Sequence, residues 1–509
     1  MSFSGQDNSR RDFLKILGRG AALYGAGSAG LLKGSWAQTG IPDDLHLADG
    51  EEWEFYKPGV YDADDQKIID KFQAQLNDLD SRGKISFADL MSGKYKADQP
   101  GGGNVRGLIS HEEAMKIYTN FGCWNPLFSD AQYASKTPFG KPIVVPTVGV
   151  DEYMPPMPPG IGDYMVVSHW NGATNLYKPV YEGHTLYSVI DWQHFRDITP
   201  AAGSHYRTFE LSGTGRCFNQ KGEIVSEGAN ILTESFRRHK DKAKRNKGGI
   251  RAWESPDWWH QRPVYQYTDK DWDTIIAMWK AEKRRGLEKL YWDDVKVGDE
   301  PWPLTDSPIL AEVTTNMMFT MPKWATDTKK NILDPAVFKT MVKNKQGIYV
   351  PPEHVSKGEE TDKHPGMEDM PPDYANRDGR SVVQNSFCAK WAANMLYNWI
   401  GDYGWVERMG WDIMAKPPGY PLSVIPYLPR NDYPDLFDQV PYLDKVPSMK
   451  GRMAITHPLE GDIITNRGYV TGKYEKNGEY FVNLSWWCET YDKYVVQEGF
   501  ATVKLPKRA

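Results

Sequence analysis

The feature that most constrains this chain of 509 residues is a pattern written in it twice. A helical stretch opens at Ser110, where Glu113 three residues on completes a capping box. Ala114, Ile117, Tyr118 and Phe121 then recur at helical spacing until the run stops at Gly122. Far along the chain Cys388, Trp391, Met395 and Trp399 form a similar stripe that stops at Gly401. Each glycine is followed at the second position by an aromatic, Trp124 and Tyr403. From Gly122 to Glu182-Gly183 is 60 residues, and from Gly401 to Glu460-Gly461 is 59. Strand-like runs follow each Glu-Gly pair: 185–192, 207–211 and 223–232, then 463–470, 480–487 and 494–503. Each set carries a Cys with Glu-Gly ten residues on, Cys217 before Glu227-Gly228 and Cys488 before Glu498-Gly499. Four matches in register point to a duplication. A helix with one apolar stripe must bury it against the strands that follow. The expected class is therefore α+β, two helix-wrapped antiparallel sheets in one chain.

Composition removes several functions from consideration. A net charge of −6 argues against general nucleic-acid binding. With 25% charged and 40% apolar residues the chain reads as globular, and four cysteines are too few for a disulfide-framed scaffold. No apolar run reaches the ~18 residues of a membrane span, so no stable membrane anchor is expected. At the start, Ser9-Arg10-Arg11-Asp12-Phe13-Leu14-Lys15 resembles the bacterial twin-arginine export motif. Uncharged residues from Gly20 to Leu32 follow, then Ser35-Trp36-Ala37, which fits cleavage after Ala37. The resemblance implies export through the twin-arginine machinery and a mature protein in the periplasm. Residues 1–37 then form the signal peptide and 38–104 an N-terminal extension. The stretch from Arg237 to Arg251 holds eight Lys/Arg and one acid and reads as a solvated part of a basic, Trp-rich linker over 237–290.

One family resembles this pattern. In the first half the match is Gly122-Cys123-Trp124-Asn125-Pro126-Leu127-Phe128-Ser129-Asp130, then Tyr133-Ala134 and Thr137-Pro138-Phe139-Gly140-Lys141-Pro142-Ile143. It is similar to the Gly-Asp-x-Asn-Pro-x-His-x-Asp, Tyr-Ala and Phe-Gly-x-Pro-Ile runs of the MaoC-like dehydratases, which include the (R)-specific enoyl-CoA hydratases. In the second half Tyr291-Trp292-Asp293-Asp294, Asn398-Trp399-Ile400-Gly401-Asp402 and Gly499-Phe500-Ala501-Thr502-Val503 resemble tandem members. The resemblance implies a double hot-dog fold, with one domain at 105–236 and a second at 291–509. The second would hold an insertion about 323–380, rich in Pro and charge from Pro351 to Arg380.

The resemblance also implies a hydro-lyase that adds or removes water at an α,β-unsaturated carbonyl or acyl compound. In that family an Asp and a His five residues apart share the proton work, an acid/base task that needs two titratable groups. Here the first-half positions are Cys123 and Phe128, and Phe transfers no proton. In the second half they are Asp402 and Glu407, a carboxylate pair able to act if its two pKa values are pushed apart. Asp402 and Glu407 are the candidate catalytic residues, with Tyr403, Trp405, Trp124, Asn125 and Cys123 as candidate substrate contacts. The competing possibility is that Asp402 caps the helix turn and Glu407 faces water. With no His-x-x-x-His or Cys-x-x-Cys spacing, neither a metal nor a cofactor is expected. Coenzyme A thioesters are cytoplasmic, so an exported member needs a small hydrophobic carbonyl or acyl substrate of another kind. A ligand-binding or partner protein on the same fold is the alternative function, and a pseudo-dimeric monomer and a homodimer both fit the tandem chain.

Overall fold

The computed structural model describes residues 54–93, 103–120, 124–145, 164–197, 199, 207–238, 240–241, 265–309, 328–352, 386–412, 453–455, 458–459 and 461–508. The export motif, its cleavage site, Cys123 and most of the basic stretch lie outside them. The described part opens with α1 (Ala63–Arg82), whose N-cap Asp62 accepts hydrogen bonds from the backbone N–H groups of Asp64 and Asp65. After α2 (Phe87–Met91), the first half runs β1 (Gly103–Leu108), α3 (His111–Asn120), α4 (Ala131–Ala134), β2 (Tyr164–Leu176), β3 (Thr185–Asp197), β4 (Arg207–Asn219) and β5 (Ile224–Arg237). Next come α5 (Asp269–Lys280), β6 (Leu304–Thr305), α6 (Thr328–Leu333), α7 (Pro335–Phe338), β7 (Val342–Lys343) and β8 (Tyr349–Val350). The second half closes with α8 (Ser386–Ile400), β9 (Trp405–Asp412), β10 (Met453–Ile455), β11 (Ile464–Lys476), β12 (Glu479–Thr490) and β13 (Tyr494–Leu505).

The sheet order is β1-β3-β4-β5-β2-β9-β13-β12-β11-β6. Read outward from the β2–β9 pair, the two sides repeat strand for strand: β5 matches β13, β4 matches β12, β3 matches β11 and β1 matches β6. The register repeats too. Cys217 lies opposite Ser188 and Ser226, and Cys488 opposite Asn466 and Gln497. Even single backbone bonds recur. Gly183 N–H donates to Ile109 O at 2.8 Å and Ile109 N–H to His184 O at 2.8 Å. In the second half Gly461 N–H donates to Ile309 O at 2.6 Å and Ile309 N–H to Asp462 O at 2.8 Å. Two helix-wrapped antiparallel sheets, joined edge to edge in one chain, make this an α+β double hot-dog.

The join is antiparallel, from Gly172 opposite Trp411 to Asn175 opposite Arg408. The apolar face of the second sheet is closed by α8, which buries Trp391, Met395, Leu396, Tyr397, Trp399 and Ile400. In the first half α1 supplements the cover, with Ile69, Phe72 and Leu76 in the same core as Phe195, Phe209 and Leu211. Burying one such side chain is worth about 1.5–3 kcal/mol. Buried arginines lock this N-terminal part onto the sheet. Arg238 donates to Asp62 at 2.7 Å and to both carboxylate oxygens of Asp65, and Arg216 grips Asp191 and the Ile85 carbonyl. Arg238 belongs to the basic stretch expected to be solvated, and it is buried because two carboxylates from the start of α1 neutralise it.

The strands predicted after each Glu-Gly pair are all present, most of them several residues longer than expected. Part of the predicted insertion has a core of its own. Trp272, Ile275 and Trp279 of α5 pack with Ile332, Ile348 and Val350 from 328–352. Among the described residues no helix is long and apolar enough to cross a membrane.

Candidate functional site

The site grows from a tight turn. Helix α8 ends at Gly401, whose φ of 74° lies in the left-handed region, and a Cβ there would stand 2.8 Å from the Glu288 carbonyl oxygen. The chain then drops directly into β9, leaving Asp402 fully buried. Its N–H donates to the Gly286 carbonyl at 2.8 Å. Its carboxylate collects three side chains from remote places. Asn125 Nδ2 donates to Oδ1 at 2.7 Å, the Tyr133 hydroxyl donates to Oδ2 at 2.6 Å, and Arg284 Nη1 lies 3.4 Å from Oδ2.

Each partner is positioned by local structure. Asn125 caps the 3-10 turn Pro126–Phe128, its Oδ1 accepting from Leu127 N–H at 2.9 Å and also from Arg284 Nη1 at 3.0 Å. Tyr133 sits on α4, capped by Asp130. Arg284 is carried by the segment after α5, where Arg285 donates through Nε to Trp399 O at 2.8 Å and so completes the C-terminus of α8. Gly286 on this segment, φ 62°, leaves room for Tyr133, whose hydroxyl would stand 2.9 Å from a Cβ.

A buried carboxylate is costly unless paired and hydrogen-bonded, and Asp402 is both. The Tyr133 hydroxyl titrates above its ordinary value, mainly because of burial and next because it donates to Asp402. It therefore stays protonated at neutral pH. Asp402 is sealed, Tyr133 is half-buried and Arg284 is exposed, and Arg284 Nη1 also donates to the Tyr133 hydroxyl at 3.1 Å.

The structure brings together two of the residues predicted for the site, Asp402 and Asn125, across 277 positions of sequence. Glu407 is buried on β9, at the irregularity where Thr502 pairs with Arg408 and Val503 with Val406, and it is not among the partners of Asp402 named above. Tyr403 donates its hydroxyl to Lys136 O at 2.9 Å, and Trp405 Nε1 donates to Leu176 O at 2.6 Å. Trp124 is 39% exposed and lies under Lys330, 4.4 Å from Nζ to ring centre. Phe128, at the position where the resemblance places a His, is buried against the Tyr397 ring at 5.7 Å. Tyr133 and Arg284 were not singled out from sequence. Tyr133 stood in view within the Tyr-Ala pair; Arg284 carries no local signal at all.

Beside the 402–405 turn a cleft of about 520 Å³ opens between the halves. Phe139, Pro179, Tyr403, Trp405, Tyr480 and Lys507 are among its walls.

No protein-family model matches this sequence, and neither does any curated protein. Solved structures do. A MaoC domain protein dehydratase from Chloroflexus aurantiacus is similar over 84% of this chain and 98% of its own, at 13% identity and a TM-score of 0.41. A conserved hypothetical protein from Mycobacterium tuberculosis with a double hotdog fold covers 83% and 98%, at 10% identity and a TM-score of 0.36. The (R)-hydratase of A. caviae covers 27% of this chain and 97% of its own, at 20% identity and a TM-score of 0.19. Likeness at such identities does not reach the chemistry of a site.

Proposed function

We propose that this protein is an exported hydro-lyase acting on an α,β-unsaturated carbonyl or acyl compound, with Asp402 and Tyr133 as its proton carriers. The observation that carries the reading is the hydrogen bond between Asp402 and Asn125, which unites the second-half Gly-Asp with the first-half Asn-Pro turn. Water meets the outer side of the Tyr133 hydroxyl. As that oxygen takes a proton from water, its own proton passes to Asp402 Oδ2, and the hydroxide adds to the β-carbon. The proton returns by the same route to the α-carbon. Atoms and charge balance, and Arg284 offsets the charge that builds on the carbonyl oxygen.

The test is loss of the conjugated ultraviolet absorbance of crotonyl and cinnamoyl thioesters and of a free enone. Asp402→Asn and Tyr133→Phe are each expected to slow turnover on the order of a hundredfold, while Glu407→Gln stays within a few-fold. Wild-type rates in both variants would refute the assignment. One observation favours a second reading, a ligand-binding protein: Phe128 fills the position where the resemblance calls for an acid/base His. Absence of turnover by the wild-type chain on every substrate would move that reading ahead.

A further inference from the structure

The cleft beside the turn is separate from the proton-carrying set, since Asp402 directs its carboxylate to Asn125, Tyr133 and Arg284 and does not line the cleft. Its volume, about 520 Å³, falls in the usual range of small-molecule sites, roughly 300–1,000 Å³. Much of the wall is flat and apolar: Pro138, Phe139, Pro179, Trp405 and Leu505. Such surfaces favour a planar ligand that stacks on or meets the rings edge-on. Charge on the wall is net positive, Lys504 and Lys507 against Glu479. Lys504 is held by Glu479 at 3.1 Å. Lys507 instead rests on the Tyr480 ring, 4.6 Å from its centre, and Lys289 on the Tyr403 ring at 4.7 Å. An ammonium over a ring face keeps hydrogens turned away from the ring, available to an anion. Among the described residues no arginine stands in the cleft wall, and polyphosphate sites commonly rely on forked arginines or on helix N-termini.

We propose that this cleft binds a small planar carboxylate, an aryl or polyenyl acid. Its flat body lies among Phe139, Trp405 and the prolines, and its carboxylate meets Lys507. The site goes beyond the hydro-lyase reading and stands whether or not that reading does, because its readout is binding and not turnover.

The experiment is calorimetric titration of the full chain with trans-cinnamate, cinnamyl alcohol and ADP at low salt. Cinnamate is expected to bind saturably and more tightly than the alcohol. Lys507→Gln is expected to weaken cinnamate about tenfold, the loss of one charge-assisted hydrogen bond, and to leave the alcohol unchanged. Lys507 is exposed, so the variant folds as the parent does. Lack of saturable cinnamate binding up to ~10 mM, which corresponds to almost no affinity, would overturn the proposal. So would equal affinity for acid and alcohol, an unchanged Lys507→Gln, or ADP binding that depends on Lys507 where cinnamate does not bind.

Discussion

The helices of the two halves do unequal work. Helix α8 has 15 residues, buries tryptophans at both 391 and 399, and closes the second sheet. Helix α3 has 10 residues, and the first sheet borrows α1 from outside the repeat, held by Arg238. The turns after the helices differ in the same sense. The second drops from Gly401 straight into a strand and seals Asp402. The first keeps a longer path through Asn125, α4 and Tyr133 before β2, and lays it over that aspartate. A repeat can thus conserve strand register while its helix ends diverge into complementary parts of one site.

The sharpest break of that complementarity is Asp402→Ala. It strands Asn125 Nδ2 and the Tyr133 hydroxyl proton beside a hole, while Arg284 Nη1 keeps Asn125 Oδ1 at 3.0 Å. Leaving buried polar groups unpaired costs about 1–3 kcal/mol each. Urea denaturation is expected to show that loss; an unmoved midpoint would mean the carboxylate does not hold the halves together. Phe128→His probes the opposite turn. An imidazole set against Tyr397 loses apolar contact and buries a polar edge, for about 1–3 kcal/mol, read as a lower melting temperature with no gain in hydration rate.

The smallest effect concerns the start of the β3 and β11 strands, where His184 and Asp462 occupy matching positions. Burial, then the charge of Lys141, lowers the His184 pKa below its ordinary 6.5. The unfolded chain therefore takes up that proton more readily than the folded one. Stability from this group is complete near pH 7.5 and falls as the pH drops through about 6.5. Melting curves between pH 5 and 7.5 are expected to slope less for His184→Gln; an identical slope would remove the group from the account.

Strands β3–β5 and β11–β13 and both repeat helices were legible because their apolar residues keep a clear period and the helical runs stop at glycines, whereas the edge strands β1 and β6 were not singled out. The central strands were not. β2 carries Ser168, His169, Asn171, Gly172 and Asn175 within 13 residues, and β9 carries Glu407, Arg408 and Gly410. Every residue from Trp405 to Trp411 of β9 is buried, Glu407 and Arg408 included, so burial does not enforce alternation there. Asp402 and Asn125 were legible through motif and spacing. The contact between them was not, nor was Arg284, since nothing local in a sequence records an encounter between residues 118 positions apart.

The β2–β9 seam has a consequence for how such a chain can change over time. Two identical subunits meeting at that edge would be bound by symmetry, and any substitution would strike both copies of a site at once. Fused copies share the same edge without that obligation. One copy is then at liberty to vary where the other does not, and to become the wall, through Asn125 and Tyr133, against which the other keeps its aspartate.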